Sequence, residues 1–400
     1  MPTVTIRQLT PEEAPEVMYA LTSYAFSPSP PLRDKAEFMA SARLRRGVTC
    51  VAAFEDDLPV TVVATTAMTQ NVRGALFGSS AIWGIASHPA ARRQGYVRNS
   101  MAAMLALTRE AGMPMSALYP FRESFYERMG YVNFPRPHLA KFAPAALSPL
   151  LKRDLGGHVE WLSIADGYDA YRDYLMRVRE RTHGMAVFDQ PEKEEAIRRN
   201  EIWVALAKVG GETAGAMVYD LCHEGGHGMT LKAYRFYTDT SEGRYLLLQW
   251  IARHADQAGQ AEIRLLPTEL PETWFPDLRV TVECVWGPMA RIVDVRGIQG
   301  MPVGTGGSAA GGFTAHLADA LCPWNEGRWR FEAVDGCLRV SRTDEADCEL
   351  TIQGLTGLVF GTHSAADFAF RGWGQPARPV QEAMHALFPP VQLPYLHESF

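Results

Sequence analysis

Near the N-terminus, apolar and polar positions alternate over "VTIRQL", which predicts a strand. "TPEE" follows as a helix start, with Thr10 as N-cap, Pro11 at the first helical position and Glu13 placed for a capping box. "VTCVAAF" and "VTVVATTAM" flank "EDDLP" and predict a hairpin. "SSAIWGIAS" is a further strand, in which Gly84 marks a bulge or a close approach of backbone. Behind "HPAARRQG" the period changes: Val97, Met101, Met104, Leu105 and Thr108 fall on one helical face. "PMSALYP" is a strand, "RESFYERMGY" a short helix ended by Gly130, and "YVNFPRPHLAKF" a strand that closes the unit.

The pattern breaks over "APAALSPLLKRDLGG", residues 143–157, which gives a first boundary. The mixed grammar then repeats. "YDAYRDYLMRVRERTHG" is helical, and "EIWVALAKVGGETAGAMVYDL" is a hairpin turning at Gly-Gly. "MTLKAYRFYTD" is a strand and "SEGRYLLLQWIARHADQAG" a helix. Strand, polar loop with a glycine, and helix therefore occur twice, at 82–112 and 231–259, which hints at internal duplication. "MPVGTGGSAAGGF" is too rich in glycine for an element interior and reads as a loop. Beyond it, "GRWRFEAVDGCLRVSRT" is a hairpin with Asp335-Gly336 at its turn, and "ADCELTIQGLTGLVFG" a strand running into a helix. The expected domains are 1–152, 153–288 and 289–400: two α/β units, then an α+β unit.

With 400 residues, two or three domains are expected, and 47% hydrophobic residues suffice for their cores. The net charge of −6 argues against a nucleic-acid partner and mildly favours a cationic one. No apolar stretch approaches the roughly 18–20 residues that span a bilayer. The start of the chain lacks the basic and apolar regions of a signal peptide. The six cysteines are scattered and read as reduced thiols, so no membrane and a cytoplasmic location are expected.

Arg92, Arg93 and Gly95 carry the clearest chemistry. Arginines and main-chain N–H groups at a helix N-terminus form an anion site, and a glycine lets a phosphate approach the backbone. The spacing Arg92-x-x-Gly95, between a strand and an amphipathic helix, resembles the pyrophosphate-binding loop of the GNAT acetyltransferases, although Val97 stands where that family often has a small residue. The bland alternative is two solvated arginines. Tyr126 is a candidate proton donor to a leaving thiolate, since a thiol of pKa about 8.5 benefits from one. Its alternative is aromatic packing, with Phe125 and Met129 as i,i+4 core partners and Tyr126 one step round the helix.

His223-Glu224-Gly225-Gly226-His227 satisfies H-E-x-x-H, but adjacent glycines between strand-like flanks are a loop and not the helix that zinc chemistry needs. No metal is expected. In the second copy only Arg244 remains, beside Asp239 and Glu242, so a pyrophosphate would meet negative charge there. The chain closes on "LPYLHESF", and a docked end would place a main-chain carboxylate at a fixed point.

Through "SHPAARRQGY", "SFYERMGY", "RIVDV" and the aromatic end at Phe400, the whole chain resembles the Eis-like (enhanced intracellular survival) N-acetyltransferases. The resemblance implies a GNAT domain, a degenerate second GNAT domain and a domain like the sterol carrier proteins. It implies acetyl-CoA as co-substrate. The main chain at Ile85 and Ser87 would hold the pantetheine arm, and Arg92, Arg93, Gly95 and Tyr96 the pyrophosphate end. Tyr126 would protonate the thiolate, and the carboxylate of Phe400 would take the amine proton through water. The implied acceptor is a small cationic amine of aminoglycoside or polyamine type, and the implied assembly a homohexamer. Phe38 and Trp83 would wall the acceptor pocket. Phe26 stands where a carboxylate would be welcome, and Glu398 is the remaining local acid. Two other readings stay open: an acyl-CoA or lipid-binding protein without catalysis, and a protein-lysine acetyltransferase.

Overall fold

The computed structural model describes residues 3–223, 228–304 and 312–400. The chain runs through β1 (Val4–Gln8), α1 (Ala14–Phe26), α2 (Lys35–Leu44), β2 (Val48–Glu55), β3 (Leu58–Val72), β4 (Ala75–Ser87), α3 (Tyr96–Glu110), β5 (Met115–Leu118), α4 (Glu123–Glu127) and β6 (Val132–Asn133). It continues through β7 (His138–Phe142), β8 (Gly157–Ser163), α5 (Ile164–Arg181), β9 (Ala186–Phe188), α6 (Lys193–Arg199), β10 (Trp203–Val209), β11 (Glu212–Cys222), β12 (Met229–Thr238), α7 (Ser241–Ala252), β13 (Ala258–Leu265) and β14 (Thr281–Cys284). Last come β15 (Met289–Ile292), β16 (Phe313–Ala318), β17 (Gly327–Val334), β18 (Cys337–Arg342), β19 (Cys348–Thr351), α8 (Ile352–Phe360), α9 (Phe368–Arg371) and α10 (Arg378–Leu387).

Two compact units form, and neither is continuous in sequence. The first gathers 1–134, 182–192 and 287–400; the second gathers 135–181 and 193–286. The first unit is built on a sheet of order β1-β2-β3-β4-β5-β15-β6, with β9 also paired to β3, and on a smaller sheet β18-β17-β16-β19. The turn before α1 forms both bonds of the capping box: the Glu13 N–H donates to Thr10 Oγ1, and the Thr10 N–H to Glu13 Oε2. Helix α3 buries Met101, Met104, Leu105 and Thr108, the face that the periodicity marks out.

Three placements differ from the sequence reading. Strand β7, read as closing the first unit, pairs with β13 in the second sheet. The stretch read as a boundary contains a 3-10 helix, Pro144–Lys152, whose Leu147 and Leu150 join the second unit's core. Strand β15, placed in the third domain by the sequence, pairs with both β5 and β6 in the first sheet. Edge complementarity between distant segments decides all three, and local periodicity carries no record of it. Within β15, Arg291 is fully buried; it pairs with Asp319 at 2.6 Å and donates to the carbonyl of Met129. Strand β9 lies on the other side of the same sheet region, and Arg73, in the β3–β4 turn, donates to the carbonyls of Val359, Leu358 and Pro389. These bonds tie the first sheet to the C-terminal helices in one core.

The second unit is a single sheet of order β14-β7-β13-β12-β11-β10-β8. Helix α7 packs on it through Leu246, Leu247, Leu248 and Ile251. His223 follows β11, which ends at Cys222, and the rest of the H-E-x-x-H stretch, 224–227, lies outside the described residues, as do 305–311 of the glycine-rich loop.

Candidate active site

The site starts from an interruption in β4. Opposite Val63 the strand holds two residues, Gly84 and Ile85, so the register with β3 shifts by one. Gly84 takes φ +62, and a side chain there would press on Met18 of α1 at 3.2 Å. On its other edge β4 pairs in parallel with β5 only from Ser79–Met115 to Ile82–Leu118. From Trp83 to Ser87, among the described residues, no strand pairs with that edge. The His88 N–H bonds Val60 O at 2.8 Å, and main-chain direction alternates along an antiparallel strand. The N–H groups of Ile85 and Ser87 therefore face the open edge, where an extended amide chain can pair with them. A cleft of about 280 Å³ adjoins this end, bounded by Leu21, Tyr24 and Leu32 and by Ser87, His88 and Pro89.

The strand leads into the arginine loop. Arg92, Arg93 and Gly95 are all exposed; Arg93 and Gly95 take left-handed conformations, φ 66 and φ 85. The space where a Cβ on Gly95 would lie is open. The first bond of α3 runs from the Asn99 N–H to Gly95 O, which leaves the N–H groups of Tyr96, Val97 and Arg98 without acceptors inside the helix. Bare N–H groups at a helix N-terminus adjoin two exposed arginines, a set of groups that fits a pyrophosphate. Tyr96 contributes its main chain alone, since its hydroxyl donates to Glu55 at 2.6 Å.

The two faces of the sheet at the opening carry different groups. Ile82 and Leu118, the last paired residues, share a core cluster with Tyr126. Tyr126 is more buried than the sequence suggests: it is 3% exposed, whereas its neighbour Phe125, expected to point inward, is partly exposed. The Phe121 and Phe125 rings sit edge-on to it at 5.7 and 5.1 Å. Burial pushes the Tyr126 phenol well above its usual range, so the hydroxyl stays protonated at neutral pH.

The opposite face carries Ala81 and Ala117, and by the period of two also Trp83 and Tyr119. The C-terminus docks here. Tyr395, Leu396 and His397 are buried, and the Phe400 ring meets Tyr119 at 5.5 Å and Phe188 at 6.1 Å. Tyr119 Oη donates to the carbonyl of Glu398 at 3.0 Å, and the Phe188 N–H donates to Glu398 Oε1 at 3.0 Å. Glu398 thus anchors the tail to main chain instead of standing free as a pocket acid. Trp83 is held by a bond from Nε1 to Thr66 Oγ1 at 3.0 Å and, like Phe38, packs against a cluster that includes Met18 and Leu21 of α1. Phe26 is 63% exposed at the end of α1. Sequence reasoning missed Thr66, Tyr119 and Phe188. Only Tyr119 had a local signal, as the residue that follows a strand at the expected crevice.

Two regions match known domain families. Residues 5–133 match the acetyltransferase (GNAT) domain, and residues 305–397 the sterol carrier protein domain. The chain carries a GNAT acetyltransferase domain. Among solved structures it is similar to a GCN5-related N-acetyltransferase from Anabaena variabilis, at 14% identity and TM-score 0.83, with all of both chains covered. It is similar to a GCN5-related N-acetyltransferase from Kribbella flavida at 18% identity and TM-score 0.82, covering 100% of this chain and 99% of that one. It is also similar to Eis1 from Mycobacterium abscessus, at 15% identity and TM-score 0.76, over all of both chains. At these identities the likeness is one of fold. No curated protein matches the sequence. Among the described residues, no helix is long and apolar enough to cross a membrane.

Proposed function

We propose that this protein is an acetyl-CoA-dependent N-acetyltransferase in which a neutral primary amine attacks the thioester directly. The observation that carries the reading is the opened strand Trp83–Ser87, with Tyr126 on one face and the docked C-terminus on the other. Ile85 and Ser87 hold the pantetheine arm, while Arg92, Arg93 and the start of α3 hold the pyrophosphate. Main-chain N–H groups on the opened strand polarise the carbonyl as the amine nitrogen bonds to its carbon. The C–S bond then breaks, Tyr126 donates to the departing sulfur, and the amine proton passes through water to the Phe400 carboxylate. Positioning on the two faces of one crevice supplies much of the acceleration.

An aminoglycoside or polyamine acceptor would need free carboxylates along the wall. Trp83, Phe38 and Phe26 offer none, and Glu398 is engaged by the Phe188 N–H. The reaction is tested by thiol release from acetyl-CoA over a panel of amines, with untagged protein beside a Phe400 deletion. Release with an amine, lost on deletion while acetyl-CoA still binds, is the expected result. Full kcat in the deletion would remove Phe400 from the mechanism.

A further inference from the structure

Two aromatics of the acceptor wall, Trp83 and Phe38, carry a guanidinium on their rings. Arg45 Cζ lies 4.7 Å from the centre of the Trp83 ring, and Arg33 Cζ 5.8 Å from that of Phe38. Stacking uses the flat face of a guanidinium and leaves its edge N–H groups to find an oxygen. Elsewhere in the chain stacked arginines have found one: Arg7 bonds Glu13 while lying over Phe54, Arg109 bonds Asp294 over Trp324, and Arg371 bonds Glu127 over Trp373. Among the described residues, Arg33, Arg45 and Arg296 have the ring and no oxygen, and of these Arg33 and Arg45 lie on the acceptor wall.

Position gives this difference its meaning. Trp83 is the first β4 residue beyond the last β4–β5 pair, at the mouth of the crevice and one residue before the bulge. The Arg45 edge therefore stands at the entrance to the point of acetyl transfer, and the arginine loop that fits a pyrophosphate lies at the far end of the opened strand. The local charge has the same sign. From Ser27 to Gly47 there are five basic residues and two acidic ones, in a chain whose net charge is −6. Of the two acids, Asp34 accepts the Glu37 N–H at the start of α2 at 2.7 Å. Lys35 is paired with Glu16 at 2.7 Å, so the surplus rests on the arginines. Around them the surface is apolar, with Tyr24, Phe26 and Leu32 exposed.

We infer that Arg45 selects an acceptor amine that also bears an anionic group, a carboxylate or phosphate, joined to an apolar body that lies along Trp83 and Phe38. Arg33 extends the positive field along the same wall. The acceptor is then an amine of amino-acid type, and polycations are repelled. This inference rests on the acetyltransferase reading above and names its substrate class.

The test compares phenylalanine, phenylalaninamide, O-phosphoethanolamine and spermidine as acceptors for full-length untagged protein, Arg45→Gln and Arg45→Glu. The expected result is a kcat/KM about tenfold higher for phenylalanine than for its amide, the scale of one charge-assisted guanidinium–carboxylate hydrogen bond. Arg45→Gln should erase the ratio through KM for the amine, leave KM for acetyl-CoA unchanged, and Arg45→Glu should shift preference to spermidine. O-phosphoethanolamine above phenylalanine would assign the anion as phosphate. A preference for spermidine in the parent, or a rise in KM for acetyl-CoA in Arg45→Gln, would overturn the inference. Titration calorimetry of the same amines against coenzyme A-loaded protein separates the two readings. Absence of turnover with every amine defeats the acetyltransferase reading alone, and tighter binding of phenylalanine than of its amide, lost in Arg45→Gln, still establishes the anion site. Equal binding of the two defeats it.

Discussion

The two large sheets share one plan and differ in what fills it. In the first, β4 and β5 pair in parallel up to Ile82–Leu118 and then separate beside the bulge at Gly84. In the second, β12 and β13 pair in parallel up to Ala233–Ile263, and β12 is likewise bulged against β11 between Val218 and Tyr219. The second gap is closed by the chain itself. Trp274 is 4% exposed, stacks on Phe236 of β12 with ring centres 5.6 Å apart, and has Arg244 over its ring at 5.2 Å. The following helix also differs. Gly95 leaves α3 open at its start, whereas the Thr240 hydroxyl caps α7 by accepting the Gly243 N–H at 3.1 Å. Parting of two parallel strands is a property of the fold; binding in the gap depends on leaving it empty and leaving the helix N–H groups free.

The comparison corrects the sequence-based reason for a disabled second copy. Asp239 does not stand ready to repel a phosphate, because it accepts a bond from Tyr174 and is paired with Arg181. The Trp274 side chain and the Thr240 cap occupy the places that stay open in the first sheet.

The largest expected effect on stability comes from Trp274→Ala. Removing a buried tryptophan that fills a crevice should cost about 3–5 kcal/mol, read by chemical denaturation of the second unit. A cost below about 1 kcal/mol would mean that the indole is not the filling.

Acid should act on the first unit. Burial pushes His183 down to about 4, where its Nδ1 accepts the Arg73 N–H and Nε2 faces Phe360 O. An unfolded histidine titrates near 6.5, so the unfolded state binds the extra proton between these values. Stability is full above pH 6.5 and falls as pH drops through about 4, by about 3 kcal/mol. Denaturation midpoints at pH 7 and pH 4 measure the loss, and His183→Gln should flatten it. An unchanged slope in that variant would place the acid sensitivity elsewhere.

Tyr126→Phe should lower kcat about 100-fold with little change in KM for acetyl-CoA, as expected for loss of a general acid. Equal kcat would reduce Tyr126 to aromatic packing. In the arginine loop, Arg92→Ala with Arg93→Ala should raise KM for acetyl-CoA about tenfold or more, the scale of charge-assisted bonds to phosphate. Arg244→Ala is the matching change in the second sheet. It should leave that KM alone and cost about 1 kcal/mol of stability through the lost stack on Trp274. A raised KM there would mean that the second copy still takes part.

Much of the candidate site in the first unit was legible as local signals. Gly84 interrupts a strand, Arg92 to Gly95 precede an amphipathic face, and a short helix carries Tyr126. The tail at Phe400 was legible as an end, but its docking on Tyr119 and Phe188 needed β9, three residues long, to return to the first sheet. Arg291 was the least readable. An arginine in a four-residue strand reads as solvated, yet its burial depends on Asp319, Tyr131 and Met129 meeting around it. The exchange of β7 and β15 between neighbouring sequence blocks was hidden for the same reason, since pairing partners far apart in sequence leave no periodic mark.

The contrast between an open and a filled gap is tested most directly by the stoichiometry of acetyl-CoA binding, measured by titration calorimetry on the parent protein and on Arg92→Ala/Arg93→Ala. One acetyl-CoA per chain, weakened in the variant, is the predicted result. Two per chain, or binding unaffected by loss of both arginines, would contradict the assignment of the first crevice as the site.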